Sequence, residues 1–365
     1  MGKSSQPNLS EPKSPLHGRG ARTNRDGRYE ARQHEAYDDG WDWRDPEPPK
    51  LETIVKHEAA KSIISRNKSP DISFDQSINT YRGCEHGCIY CYARPNHAYV
   101  GLSPGLDFET RIFVKSDAAA LLEQELSAPG YRPRTIVLGG VTDIYQPAER
   151  GYGVTRAVLQ VLQKFRHPVG MITKSALVAR DIDILGEMAD ARLAKVAISV
   201  TTLDRKLARV MEPRAAAPHR RLETIKLLTS AGVPVTVMTA PIIPALNESE
   251  LEDLLAAAHD AGAREAGYVL LRLPLEISAL FQEWLAEHFP DRAAHVMSVL
   301  RQMRGGKDYD STWGERATGK GPFAELIAMR FSRACARLGL NSARLQLDAS
   351  QFRKPPKAGD QLSLL

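Results

Sequence analysis

The sequence predicts an α/β protein, a partial (β/α)6 TIM-type barrel with a disordered N-terminal tail and a helical C-terminal extension. Three observations carry this. From about residue 75 onward, short β-branched and aromatic runs alternate with stretches whose apolar residues recur at three- and four-residue spacing, the pattern of parallel strands joined by crossover helices. The 365-residue chain is 42% hydrophobic and 25% charged, ordinary values for a protein with one large core. The opening MGKSSQPNLSEPKSPLHGRGARTNRDGR, by contrast, has almost no bulky apolar side chains and lacks the surface to order itself by burial.

In chain order, residues 1–45 read as a basic tail in which Trp41 and Trp43 are candidates to pin the chain to the domain. The prolines at 46, 48 and 49 mark a linker, and 46–74 lead into the barrel. Over 75–275 six strands are expected: 77–82, 134–139, 169–173, 195–200, 234–240 and 267–273. Helices are expected near 117–127, 151–165, 177–189, 218–230 and 248–261, with Asp117 and Ser249 as N-caps and Gly232 and Gly262 as stops. Six such units make an open barrel. Residues 276–350 form the helical extension and cap, and 351–365 a flexible tail.

Composition narrows the function. No apolar run approaches the roughly 18 residues of a membrane helix, so a cytoplasmic location is the expectation. A net charge of +5 permits nucleic-acid contact without demanding it. Four cysteines are too few for a disulfide scaffold, yet three of them, Cys84, Cys88 and Cys91, fall in the string CEHGCIYC. Cubane iron–sulfur clusters normally take four thiolates, so a local triplet leaves one iron open to a ligand that is not protein. The alternative is a zinc site completed by His86 or His97, although zinc motifs usually come as two separated ligand pairs.

In β/α barrels, sites gather at the carboxyl ends of strands, and the cysteine loop follows the first strand. After the second comes GGVTDIYQP, where Gly139 and Gly140 permit close backbone approach and Thr142 and Asp143 supply polar atoms. The third ends at Lys174, a point charge for a carboxylate or simply a surface lysine. The fourth offers Ser199 and Thr201 to a ribose or amino-acid group, and the fifth an apolar lip, APIIP, to an adenine ring. Two basic stretches lie beyond the strands. MEPRAAAPHRR brings Arg214, His219, Arg220 and Arg221 to a helix start, as a clamp for a phosphate or carboxylate or as surface charge with a Glu212–Arg214 ion pair. The glycine-rich 305–323 interleaves Lys307, Arg316 and Lys320 with Tyr309 and Trp313, as in surfaces that stack unpaired bases, or as in a loop folded over the barrel mouth.

YRGCEHGCIYCYARPNHAY, GGVTDIYQPAER, SVTTLDRKLARVMEPR and APIIPALN together resemble the spore photoproduct lyase-like group of the radical S-adenosylmethionine (SAM) superfamily, over about residues 75–275. The resemblance implies a [4Fe–4S] cluster on Cys84, Cys88 and Cys91, with SAM on the open iron and Tyr90, Gly140, Thr142, Asp143, Lys174 and Ser199 around it. It implies reductive cleavage of SAM to a 5′-deoxyadenosyl radical for hydrogen abstraction, and a low-potential electron donor such as flavodoxin or ferredoxin. Damaged or modified nucleic acid is then the expected substrate, with a small molecule or peptide as the rival, and a non-enzymatic zinc or iron–sulfur module as a third reading. One departure stands out. The group's lyases quench the substrate radical with a cysteine near the second strand, where this chain has Val141; the catalytic hydrogen donor is therefore unknown, and Tyr92, Tyr99 and Tyr145 are relay candidates. The fourth cysteine, Cys335, reads as a buried structural thiol. The terminal GDQLSLL resembles DNA sliding-clamp-binding peptides, with Gln361, Leu362, Leu364 and Leu365 as anchors, or is a frayed end.

Overall fold

Six parallel strands follow the predicted order along one sheet of a computed structural model that describes residues 19–29 and 51–356. The strands among these residues are β1 (Ile54–His57), β2 (Ile64–Arg66), β3 (Gln76–Ile78), β4 (Tyr81–Arg82), β5 (Arg111–Val114), β6 (Ile136–Leu138), β7 (Val169–Thr173), β8 (Ala194–Ser199), β9 (Val235–Ile242) and β10 (Glu265–Leu270). Strands β3-β6-β7-β8-β9-β10 pair in that sequence, all parallel, and β2 runs antiparallel on the outer edge of β3. This is the partial (β/α)6 barrel. The central strands alternate: Val169, Met171, Val196, Ile198, Val235 and Val237 turn one face into the core, while the other face carries half-buried Ile172, Lys195, Ala197 and Thr236.

The helices are α1 (Leu106–Thr110), α2 (Ala118–Ser127), α3 (Glu149–Tyr152), α4 (Val154–Lys164), α5 (Ile182–Asp190), α6 (Arg205–Met211), α7 (Pro218–Ser230), α8 (Leu251–Asp260), α9 (Ile277–His288), α10 (Pro290–Gln302) and α11 (Pro322–Leu338). Periodicity located α2, α4, α7 and α8 to within a few residues because each carries one apolar stripe against the sheet. The caps came out differently. Asp117 precedes α2 but its side chain makes no capping hydrogen bond, and Ser249 lies inside a 3-10 turn, Glu248–Glu250, that leads into α8. Gly232 and Gly262 do follow α7 and α8, with φ of +78° and +110°.

Two parts of the frame were not expected. The predicted strand 77–82 is broken into β3 and β4, and β4 leaves the barrel to pair with β5, which pairs with β1 in a separate three-stranded sheet. Residues 19–29, assigned by composition to the tail, lie against the domain, with Arg19, Gly20 and Ala21 buried. Trp41, Trp43, the linker prolines and the C-terminal Gln361, Leu362, Leu364 and Leu365 lie outside the described residues.

The open side of the barrel is bridged by the loop after α10. Leu270 of β10 donates to the Ala317 carbonyl at 2.9 Å, Gly314 N donates to Asp71 Oδ1 at 2.6 Å, and Arg316 pairs with Asp71 beyond β2. Residues 312–318 thus span from one sheet edge to the other, and no helix of the described chain is long and apolar enough to cross a membrane.

Candidate active site

The cysteine loop leaves β4 and sits at the carboxyl ends of the barrel strands. Cys84 and Cys88 are buried and Cys91 half-buried. Burial, reinforced by the charges of neighbouring groups, raises the thiol pKa of Cys84 strongly; it pushes Cys88 up to about 12 although Lys174 works the other way. Cys84 and Cys88 resist ionising alone, so a cationic ligand that stabilises thiolate would change the balance. The two histidines of the zinc alternative are placed otherwise. His86 Nδ1 faces Asp143 Oδ2 at 3.2 Å, and His97 is fully buried edge-on to Phe108. Among the described residues no three His, Cys, Asp or Glu side chains are arranged to hold a single ion.

The loop's shape is set by charged groups between and around the cysteines. Glu85 accepts from Thr53 Oγ1 (2.8 Å), from the Ala148 amide (2.7 Å) and from Arg214 Nη2 (2.9 Å). Arg94, fully buried, donates from Nε to the Cys88 carbonyl (2.9 Å) and from Nη2 to the Gly87 carbonyl (3.0 Å), and Glu109 balances its charge. Arginine's fixed fork suits this work, since one side chain fixes several carbonyls of a loop that has no ladder of its own.

The second strand's end behaves as two different glycines. Gly139 has φ +90°, and a Cβ there would lie 2.6 Å from the Ile172 carbonyl oxygen, so the fold itself demands glycine. A Cβ at Gly140 would meet nothing nearer than 4.0 Å. The fold does not require that glycine, whereas a ligand approaching the backbone would. Thr142 and Asp143 are engaged by protein. Thr142 Oγ1 donates to the Gly83 carbonyl at 2.6 Å, and Asp143 accepts from Thr173 Oγ1 (2.7 Å) and the Lys174 amide (2.8 Å). Burial opposes the Asp143 charge, but His86 and these donors hold its carboxyl well below the usual range. Both residues therefore join the cysteine loop to β6 and β7.

On the far side, Tyr90 donates its hydroxyl to Glu212, which also accepts from Thr201 Oγ1 (2.6 Å) and pairs with Arg221. Burial works to raise the Glu212 pKa, yet Arg221 and Lys174 bring it down to about 2. Lys174 Nζ lies 5.7 Å from the Tyr90 ring centroid, and although burial disfavours its charge, Cys88 and Glu212 raise its pKa. Ser199 is buried, and its carbonyl accepts from Arg221 at 3.1 Å.

The basic string after β8 thus divides. Arg214 serves Glu85, Arg221 serves Glu212, and Arg220 and His219 face solvent, so the anticipated Glu212–Arg214 pair does not form. The isoleucines of APIIP, Ile242 and Ile243, lie in the core instead of forming a lip. In the 305–323 loop, Lys320 pairs with Asp310 and Glu315, while Trp313 is 64% exposed. Of the three tyrosines, Tyr92 alone borders the second strand's end: its hydroxyl donates to the Gly140 carbonyl and Arg272 lies 4.6 Å over its ring. Tyr145 is buried against Asp181, and Tyr99 packs on Tyr29. Cys335 is buried in α11, as expected.

Glu85, Glu109 and Arg94 were missed as parts of the site, and Arg221 and Glu212 read in the sequence as an outer clamp or surface charge, not as supports of Tyr90 and Thr201. Glu85 carried a signal, a charge lodged between two cysteines; Arg94 and Glu109 carried none.

Comparison with known proteins agrees with this arrangement. Residues 78–258 match the radical SAM superfamily model. An uncharacterized protein of Mycobacterium tuberculosis is 35% identical over 260 residues, 70% of this chain and 76% of that protein, and one of Methanocaldococcus jannaschii is 26% identical over 235 residues, 64% and 82% of the two chains. Among solved structures, spore photoproduct lyase complexed with dinucleoside spore photoproduct superposes with a TM-score of 0.58 at 14% identity, covering 78% of this chain and 80% of that one. A variant of that lyase with bound AdoMet and dinucleoside spore photoproduct gives 0.58 at 13% over the same shares. Likeness at that identity is likeness of fold. Together with the matched family model and the cysteine loop at the mouth of six parallel strands, it establishes that the chain belongs to the radical SAM superfamily.

Proposed function

We propose that Cys84, Cys88 and Cys91 hold a [4Fe–4S] cluster, that SAM lies beside Gly140, Lys174 and Ser199, and that the substrate is damaged or modified nucleic acid. The observation that carries this reading is the buried three-cysteine loop at the strand ends, next to a glycine that the fold itself leaves free. Bound there, the cluster would supply the electron for reductive cleavage of SAM to methionine and a 5′-deoxyadenosyl radical. The chain's residues bind, orient and exclude. Lys174 places a positive charge between Cys88 and Glu212, Glu212 fixes Tyr90 and Thr201, and burial of Cys84 and Cys88 keeps solvent from the loop. Tyr92, under Arg272, stands where a hydrogen relay would be useful in place of the absent cysteine. A flavodoxin or ferredoxin is the electron donor this chemistry needs.

The substrate class rests on the lyase structures that hold a dinucleoside photoproduct, and on an arginine–aromatic pair near the second strand's end with an exposed tryptophan in the loop that closes the barrel. Pairing of Lys320 with acids inside that loop and of Arg316 with Asp71 lowers its capacity for phosphate and favours, as the second reading, a small molecule or peptide. The test is anaerobic reconstitution with iron and sulfide, reduction by dithionite and assay of 5′-deoxyadenosine. The native chain should form it, and Cys84→Ala, Cys88→Ala and Cys91→Ala should each abolish it. A photodamaged oligonucleotide that stimulates turnover supports the first substrate; no stimulation moves the second ahead. A fully loaded native cluster that yields no 5′-deoxyadenosine would overturn the enzymatic reading.

A further inference from the structure

Residues 19–25 lie in a stretch that composition assigns to solvent, yet they press on the back of the cysteine loop. The contact is backbone on backbone: a Cβ on Gly20 would fall 1.8 Å from the Gly87 carbonyl oxygen, and one on Gly105 would fall 2.1 Å from the Thr23 carbonyl oxygen. No side chain fits at either place without moving main chain. Between the two layers stands the fully buried carboxylate of Glu109, which accepts from the Gly20 amide (2.9 Å) and the Ala21 amide (2.8 Å) and pairs with Arg94 at 2.5 Å. Arg94 is the residue that holds the Gly87 and Cys88 carbonyls. A second route runs from Arg19, which donates to the Glu109 carbonyl (2.9 Å) and to Thr53 Oγ1 (3.2 Å), and Thr53 donates to Glu85 between the cysteines. The segment's other end is tied to α9, Thr23 Oγ1 donating to Glu283 at 2.9 Å.

We infer that residues 19–25 are a strap belonging to the metal-binding apparatus: closed over the loop through Glu109, they position Cys84 and Cys88 for their ligand. The inference rests on the proposal that these cysteines hold a cluster. Glu109 and Gly20 are positioning residues, acting through Arg94 and Gly87 and touching neither cluster nor substrate. Groups of this kind typically change metal affinity by about 10- to 100-fold when altered.

The experiment uses the full chain and three variants: Gly20→Val, Glu109→Gln and, as control, Lys164→Ala, whose exposed salt bridge to Glu123 joins α4 to α2 away from the strap. Two readouts are taken, the rate of iron release from the reconstituted chain to a chelator, without SAM, and hydrogen exchange of amides 84–91 in the metal-free chain. Gly20→Val and Glu109→Gln should release iron about tenfold faster or more and lose protection at 84–91, with far-UV circular dichroism unchanged; Lys164→Ala should match the native chain. Native-like iron retention and loop protection in both strap variants would overturn the proposal. If Gly20→Val fails to fold, Glu109→Gln decides. If the native chain takes up no iron, the cluster reading fails by itself, and the strap then stands or falls on loop protection in the metal-free chain.

Discussion

At the scale of single residues, the barrel keeps several ionisable groups in states that water would not choose. His97 and His167 are fully buried, and burial lowers each from the ordinary 6.5 to about 4; in His167 a hydrogen bond to the Pro168 carbonyl opposes the fall. As pH drops through about 6.5 the unfolded chain takes up protons at these sites, whereas the folded chain does so only near 4. Stability is therefore lost progressively between those values, by at most roughly 3 kcal/mol per histidine. The carboxylates act lower down: Glu212, held near 2, contributes stability that is present above about 4.5 and lost as pH falls toward 2. Thermal midpoints measured from pH 7 to 4 should fall for the native chain and fall less steeply for His97→Phe and for His167→Phe. Equal slopes in all three would show that neither histidine is buried neutral.

At the scale of elements, what matters is where each strand stops and what the following turn tolerates. The turn after β6 holds two adjacent glycines with opposite requirements. Gly139→Ala would force a positive φ on alanine and drive its Cβ into the Ile172 carbonyl, a loss of about 1–3 kcal/mol seen as a lower urea midpoint. Gly140→Ala should leave the midpoint within about 0.5 kcal/mol while weakening SAM binding. Equal destabilisation by both would mean that Gly140 is held by the fold and not left for a ligand. Periodicity found α7 at 218–230 and β7 at 169–173 because each has a single face or pair of faces fixed by the core. It missed β1, β2 and β5, which are three or four residues long, too short for a period to register even where, as at Ile112 and Val114 of β5, the burial alternates. The cysteine loop was legible as a spacing of ligands; its supports were not, since Tyr90 and Glu212 are separated by 122 positions.

At the scale of the whole molecule, a six-stranded open barrel has two edges to cover: β2 pairs with β3, and the C-terminal part of the chain covers β10 and reaches across to Asp71. Arg304, almost fully buried in the turn after α10, donates to the carbonyls of Leu271 (2.8 Å), Glu315 (2.9 Å) and Arg316 (3.0 Å), so it joins the end of β10 to the closing loop. Arg304→Met would leave those carbonyls unpaired at a cost of about 2–4 kcal/mol. Hydrogen exchange should quicken together at 268–271 and 312–318, with β7 and β8 unaffected; a uniform change across the sheet would count against a local closing role. The same extension reaches the cysteine loop indirectly, since α9 anchors the strap that Glu109 holds against Gly87.

By itself the sequence determined the run of parallel strands and crossover helices and the three-thiol loop after the first strand. Each is written in neighbouring residues, as periodicity, turn chemistry or ligand spacing. Tertiary structure alone decided that Thr142 and Asp143 face the protein, that Arg221 and Arg214 serve Glu212 and Glu85, and that residues 19–25 leave the solvent for the back of the cysteine loop. The physical reason is the same in each case. A buried charge or a close backbone contact gains its energy from a partner that only folding selects, 59 positions away for Thr142, 129 for Arg214 and nine for Arg221, and composition averaged along the chain carries no trace of that partner.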